Sequence, residues 1–140
     1  MPLFRRKKIQ RPKNPLGIAL LQYDNIIKKE LGGMLKTLGA GKSMSPSRAE
    51  AILSKAEYKF DYILEDISKD NLKIDYMSDK ARYAIIALIE DLKKFFAAAR
   101  EYGFNGERLE LDKKVKGPNE INKDRDTLKK KMIDIESDYV

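Results

Sequence analysis

Cysteine and histidine are both absent from the 140 residues. Without cysteine the chain has no disulfide and no thiolate chemistry, and without histidine it lacks a usual zinc ligand and the commonest general base. Acids are missing locally: residues 1–16 contain none, whereas Arg5, Arg6, Lys7, Lys8, Arg11 and Lys13 place six bases there. Long apolar runs are missing too. The most apolar stretch, within residues 78–103, is interrupted by Glu90, Asp91, Lys93 and Lys94, so no transmembrane span is expected. No apolar segment with a cleavage site directly follows the basic start, so no secretory signal is expected either. A cytoplasmic, host-intracellular or virion setting follows from these absences, and the chain shows no internal repeat.

Hydrophobic residues make up 42% of the chain and charged residues 36%, which fits one domain with appendages and a core of modest size. The net charge is +7, and removing the six bases of the arm leaves 23 bases against 22 acids. Residues 1–60 carry +9 and residues 61–140 carry −2. So uneven a distribution points to a polyanionic partner.

The spacing predicts an all-α fold, a small bundle of three to four helices behind an extended basic arm. Residues 1–14 form the arm, where Pro2 and Pro12 discourage helix. Residues 15–103 form the helical core, 104–118 a linker, and 119–140 a C-terminal amphipathic helix. The central helix spans residues 78–103: Ala81, Ile85, Leu88, Leu92, Phe95, Ala99 and Tyr102 alternate steps of four and three, with Ser78 to cap it and Gly103 to close it. Ala84, Ile86, Ile89, Phe96 and Ala98 make so much of its surface apolar that partners within one chain look too few, and Phe95, Phe96 and Tyr102 are expected to meet another subunit.

Asn14 and Pro15 open an earlier helix through Leu16, Leu20, Tyr23, Ile27 and Leu31, which Gly32 and Gly33 stop or hinge before Met34, Leu35 and Leu38. The pair reads as a helical hairpin or, less favoured, a helix-turn-helix. Ser45, Pro46 and Ser47 open another helix running to about Lys69, with Ser47 and Glu50 at capping-box spacing. Tyr58 and Tyr62 flank its apolar stripe, as core-edge residues or, less favoured, as stacking platforms beside Lys55 and Lys59. Leu72, Ile74 and Tyr76, and again Leu109, Leu111 and Val115, nearly alternate. They suggest extended loops or a minor two-stranded β-ribbon. After Gly117 and Pro118, Ile121, Leu128, Met132, Ile135 and Tyr139 form a narrow seam with Arg125 in the gap, suited to contact between subunits or to a peripheral helix.

Gly39, Ala40, Gly41, Lys42 and Ser43 look like the end of a phosphate-binding loop, but Lys36 stands where that motif needs glycine and helical spacing precedes it. Nucleotide hydrolysis is excluded on this ground. Adjacent acids at Glu65 and Asp66 and at Glu90 and Asp91 point apart on a helix, so no catalytic pair, metal site or cofactor is expected.

These features predict a non-enzymatic nucleic-acid-binding oligomer, with DNA preferred to RNA. The arm bases together with Lys28, Lys29, Lys36, Lys42 and Arg48 would contact phosphates, and Phe95, Phe96, Tyr102, Leu128, Met132 and Ile135 would join copies. The layout resembles that of the small terminase subunits of tailed phages, which join a helical DNA-binding part to a helical oligomerisation part. The likeness is one of layout and assigns no residue role; it implies a part in viral DNA packaging. Two other roles suit the same features: an architectural or coat protein that compacts DNA in a virion or nucleoid, and a protein–protein adaptor with a basic docking arm. With only Leu3, Phe4 and Ile9 to insert, the arm is a poor membrane anchor, and no small-molecule substrate is expected.

Overall fold

The computed structural model describes residues 15–68 and 76–137, with side chains throughout except at 76–78 and 132–137. Its elements are α1 (Pro15–Ile26), a π-helical turn (Ile27–Leu31), α2 (Gly32–Gly39), α3 (Pro46–Ile67), α4 (Tyr76–Glu101), α5 (Gly106–Leu111) and α6 (Pro118–Ser137). The protein is an all-α bundle. The described residues include no strand: Leu109 and Leu111 belong to α5 and Tyr76 opens α4, while Leu72 and Ile74 lie outside the described residues.

The glycines at 32 and 33 do not break the first helix. Helical conformation runs unbroken from α1 through the π turn into α2, which removes both the helix-turn-helix and the hairpin readings. The reason lies in the apolar register. Leu16, Leu20, Tyr23 and Ile26 are buried, and the next buried side chain is Leu31, five residues on, followed by Met34 and Leu38. Five residues overshoot an α-turn, and the wider π turn absorbs the extra one, returning Leu31 to the buried stripe. Gly33 lies exposed in α2 with no atom within 4 Å of where a Cβ would sit. Gly33→Ala is therefore expected to raise stability by about 0.5–1 kcal/mol, seen as a higher urea midpoint at unchanged slope.

Helix α3 starts at Ser45, its N-cap, with Pro46 at the first helical position. Ser47 is not the cap, and Glu50 does not reach back to complete a capping box; it is drawn to Arg100 of α4 instead. Ala49, Leu53, Ala56, Phe60, Ile63 and Ile67 are buried at steps of three and four. Rings from three helices meet at the centre: Tyr23 lies 5.8 Å from Phe60, and Phe60 lies 6.5 Å from Phe96, which is fully buried.

Helix α4 begins two residues before Ser78, so that serine lies inside it. Its end is as expected. Gly103 adopts φ +62°, its amide donates to the Arg100 carbonyl, and the Phe104 amide donates to Ala99 at 2.7 Å, a Schellman closure. Exposed positions on α4 are Lys80, Tyr83, Ala87, Glu90, Lys94, Ala97 and Glu101, a single stripe at steps of three and four. The other side chains described on α4, from Asp79 to Arg100, are buried or half-buried, and α1, α3, α5 and α6 pack against this helix. Phe95, Phe96 and Leu128 thus sit inside their own chain, at most 5% exposed, and offer no surface for joining copies. Tyr102 is half-buried and donates its hydroxyl to Asp112 at 2.9 Å. Side chains of Met132 and Ile135 lie outside the described residues.

Residues 104–118 are not a plain linker. Phe104 and Leu109 are buried in the core, and Asn105 caps α5 by accepting from the Arg108 amide at 3.2 Å. Helix α6 packs on α4, α2 and α1 of the same chain, burying Ile121 and Leu128. Between those two residues Arg125 forms a two-pronged ion pair with Asp24 of α1, its Nε donating to Oδ1 at 2.8 Å. This bridge fills the place in the apolar seam where the sequence has a base, and it fixes α6 in cis.

Candidate nucleic-acid interface

The π turn is where exposed bases and a binding-sized cleft coincide. Lys28 and Lys29 are exposed beside each other in it, and neither forms an ion pair within the described residues. The next residue, Glu30, turns toward α3 and accepts a hydrogen bond from Lys59 Nζ at 2.5 Å, with Lys55 Nζ 3.6 Å from its other oxygen. The hydrogen bond from Lys59, aided by the charge of Lys55, holds the Glu30 carboxyl below its ordinary range. Two lysines of α3 thus flank one carboxylate of the π turn.

Between the π turn and α3 opens a cleft of about 340 Å³. Ile26 and Ile63 give it an apolar floor, Gln22 and Asn25 contribute amides, Lys29 and Lys59 contribute positive charge, Glu30 and Asp66 contribute negative charge, and Tyr62 forms one wall. Tyr62 is 54% exposed and its ring stands edge-to-face with that of Tyr58, centroids 5.0 Å apart and hydroxyls 3.0 Å apart.

The other bases expected on this front are dispersed. Lys36 lines a separate groove of about 310 Å³ between α1, α2 and the start of α6, where Asp24 and Pro118 also lie. Lys42 is exposed in the loop between α2 and α3, and Arg48 is exposed in the first turn of α3. Arg5, Arg6, Lys7, Lys8, Arg11 and Lys13 lie outside the described residues. The loop carrying Lys42 is no phosphate cradle. Such a cradle needs free amides, but Ala40, Gly41, Lys42 and Met44 donate theirs to the carbonyls of Lys36, Leu38, Thr37 and Phe104.

The sequence pattern overlooked Gln22 and Asn25 and did not connect Glu30 with Lys55 and Lys59. The one available signal was the interleaving of Lys55, Tyr58, Lys59 and Tyr62 on a single face of α3. Glu30 comes 29 residues before Lys59, and only packing of the π turn on α3 brings them together.

Arg100 of α4 makes a second ionic cluster, donating to Glu50 at 2.7 and 2.9 Å and to Glu57 at 2.7 Å, all three half-buried. This cluster joins α3 to α4. Hydrogen bonds from Arg100 hold the Glu50 carboxyl below its ordinary value, and the Lys114 amide, then the Tyr102 hydroxyl, do the same for Asp112. A carboxylate with a depressed folded pKa contributes stability that is complete above its unfolded pKa, 4.5 for Glu and 3.8 for Asp, and is lost as pH falls through the folded value. With no histidine or cysteine to titrate, stability is expected to be flat from about pH 6 to 8 and to fall below about pH 4.5. Thermal midpoints across that range check this, and Arg100→Leu is expected to weaken the acid-side dependence.

Among the described residues there is no cluster of three or more acids able to hold a metal, and no helix is long and apolar enough to cross a membrane. Comparison with protein-family models, with curated proteins and with solved structures finds no match to this chain.

Proposed function

We propose that this protein is a non-enzymatic nucleic-acid-binding protein, with DNA as its preferred partner, whose arm and π turn grip phosphates. Charge placement carries the proposal: six bases without an acid in residues 1–16, then Lys28 and Lys29 exposed and without ion pairs among the described residues. Like charges packed so closely repel one another unless a counter-charge relieves them, and a phosphate backbone supplies it. A part in packaging or organising viral DNA is the role that the layout suggests. Assembly of copies, if it accompanies binding, has to use surface other than Phe95, Phe96 and Leu128, and the distal part of α6 is the candidate that the sequence pattern leaves.

The test is affinity for duplex DNA, single-stranded DNA and RNA at several salt concentrations. The six arm bases alone predict log K falling against log salt with a slope of about −5, roughly a thousandfold loss between 50 and 200 mM salt, and Lys28 and Lys29 steepen it further. Absence of binding even at low salt overturns the proposal, and binding with no salt dependence removes the phosphate grip. An acidic protein partner in place of nucleic acid would return the adaptor role.

A further inference from the structure

We infer that the cleft between the π turn and α3 takes an unpaired nucleotide, its base against Tyr62 and its phosphate in the place now held by the Glu30 carboxylate. The inference rests on the nucleic-acid reading and narrows it, for the folded domain, to single strands or unpaired loops.

The first observation is an aromatic wall that the bundle does not use. The central rings, Tyr23, Phe60 and Phe96, are at most 2% exposed, whereas Tyr58 and Tyr62 are 63% and 54% exposed on the outer face of α3. Their edge-to-face contact and shared hydroxyl hydrogen bond restrain the Tyr62 ring without covering both. A restrained, exposed ring at a cleft wall is a stacking platform. Base stacking on such a ring is tolerant of sequence, because every base has a π-face.

The second observation is the remaining lining. At about 340 Å³ the cleft falls in the range of small-ligand sites; Ile26 and Ile63 are its apolar lining, and the rest is polar, with Glu30 and Asp66 as its acids. Gln22 and Asn25 each present both a donor and an acceptor, the combination that meets the edge of an unpaired base. A duplex keeps those edges paired and those faces stacked, so it cannot enter.

The third observation is Glu30 itself. Its carboxylate occupies a pocket of positive charge formed by Lys55 and Lys59, with Lys29 in the same cleft. A phosphate oxygen satisfies the same lysines, so Glu30 acts as the internal occupant that a bound strand displaces. Its removal sets two cations free for the strand. Lys29 and Glu30 of the π turn line the cleft together with Gln22, Asn25 and Ile26 of α1.

The experiment compares a thymidine oligomer of about a dozen nucleotides with a duplex of equal length, using the full chain and labelled strands. Because the chain has no tryptophan, quenching of tyrosine emission gives a second readout. Tyr62→Leu is expected to weaken single-strand binding about five- to hundredfold and to leave duplex binding within about twofold. Glu30→Gln is expected to strengthen single-strand binding and to steepen its salt slope by about one to two. The thermal midpoint of Tyr62→Leu, an exposed site, serves as the folding control. Single-strand affinity unchanged in Tyr62→Leu, or single-strand and duplex affinity reduced equally, overturns this inference while the nucleic-acid reading stands. If the full chain binds neither probe at low salt, that reading fails and the inference with it.

Discussion

Removal of residues 1–14 is expected to weaken binding to DNA by about three orders of magnitude at 150 mM salt and to flatten the salt slope by about five. Six bases leave with the segment and no acid does, so the net charge drops from +7 to +1. Each phosphate that the shortened chain no longer neutralises keeps its condensed counterion, so the penalty shrinks as salt rises and is largest in dilute buffer. The cut must fall before Pro15, because Leu16 is fully buried at the start of α1. A shortened chain with an unchanged thermal midpoint shows that the bundle survives the cut. Unchanged affinity in that chain would mean that the arm is not the grip, and would move the phosphate-binding role to Lys28, Lys29 and the cleft against α3.

Gly106→Ala is expected to cost about 3 kcal/mol, lowering the thermal midpoint by roughly ten degrees. A Cβ at Gly106 would stand 2.2 Å from the Lys42 carbonyl oxygen, 2.7 Å from its amide nitrogen and 2.8 Å from the Gly41 carbonyl carbon. All three are backbone atoms, so no side-chain rotation relieves the clash. Nor is the opposing loop free to retreat. Lys42 donates its amide to Thr37, and Met44 donates its amide to Phe104, three residues beyond the end of α4. Phe104 is itself buried at φ +60°, a conformation costly for a bulky side chain and held by the Schellman closure of α4. The loop after α2 and the turn after α4 are thus pressed together, and residue 106 sits where they meet. Calorimetry on Gly106→Ala beside Gly33→Ala is the check, since the two identical chemical changes are expected to act in opposite directions. A loss below about 0.5 kcal/mol for Gly106→Ala would contradict this packing.

Much of the bundle is legible because helix formation is a matter of residues three and four apart. The stripe of Ala81, Ile85, Leu88 and Leu92, the start at Pro15 and the closure at Gly103 are all local patterns. Where two local patterns compete, the sequence misleads. Leu109 and Leu111 alternate like a strand, yet the Asn105 cap wins them for a helix. Ser47 with Glu50 resembles a capping box, yet Arg100 takes the glutamate. The breadth of the apolar surface on α4 suggests too few partners in one chain only while α5 goes uncounted and α6 is taken to offer a narrow seam. Helix α5 hides in a stretch that reads as linker, and the seam of α6 looks narrow without the bridge from Arg125 to Asp24.

By itself the sequence determined the all-α class, the absence of thiol and imidazole chemistry, and the concentration of positive charge at the front, since composition and short-range periodicity suffice for each. Only the tertiary structure decided the π turn, which exists to bring Leu31 back to a buried stripe shared with other helices. It alone decided that α6 folds back onto α1, through residues 101 apart in sequence, and that Phe95 and Phe96 face inward. It alone drew Lys29, Glu30, Lys59 and Tyr62 into one cleft. Contacts so distant along the chain carry no periodic signature, because they depend on the surfaces that packing brings together rather than on the spacing of neighbours.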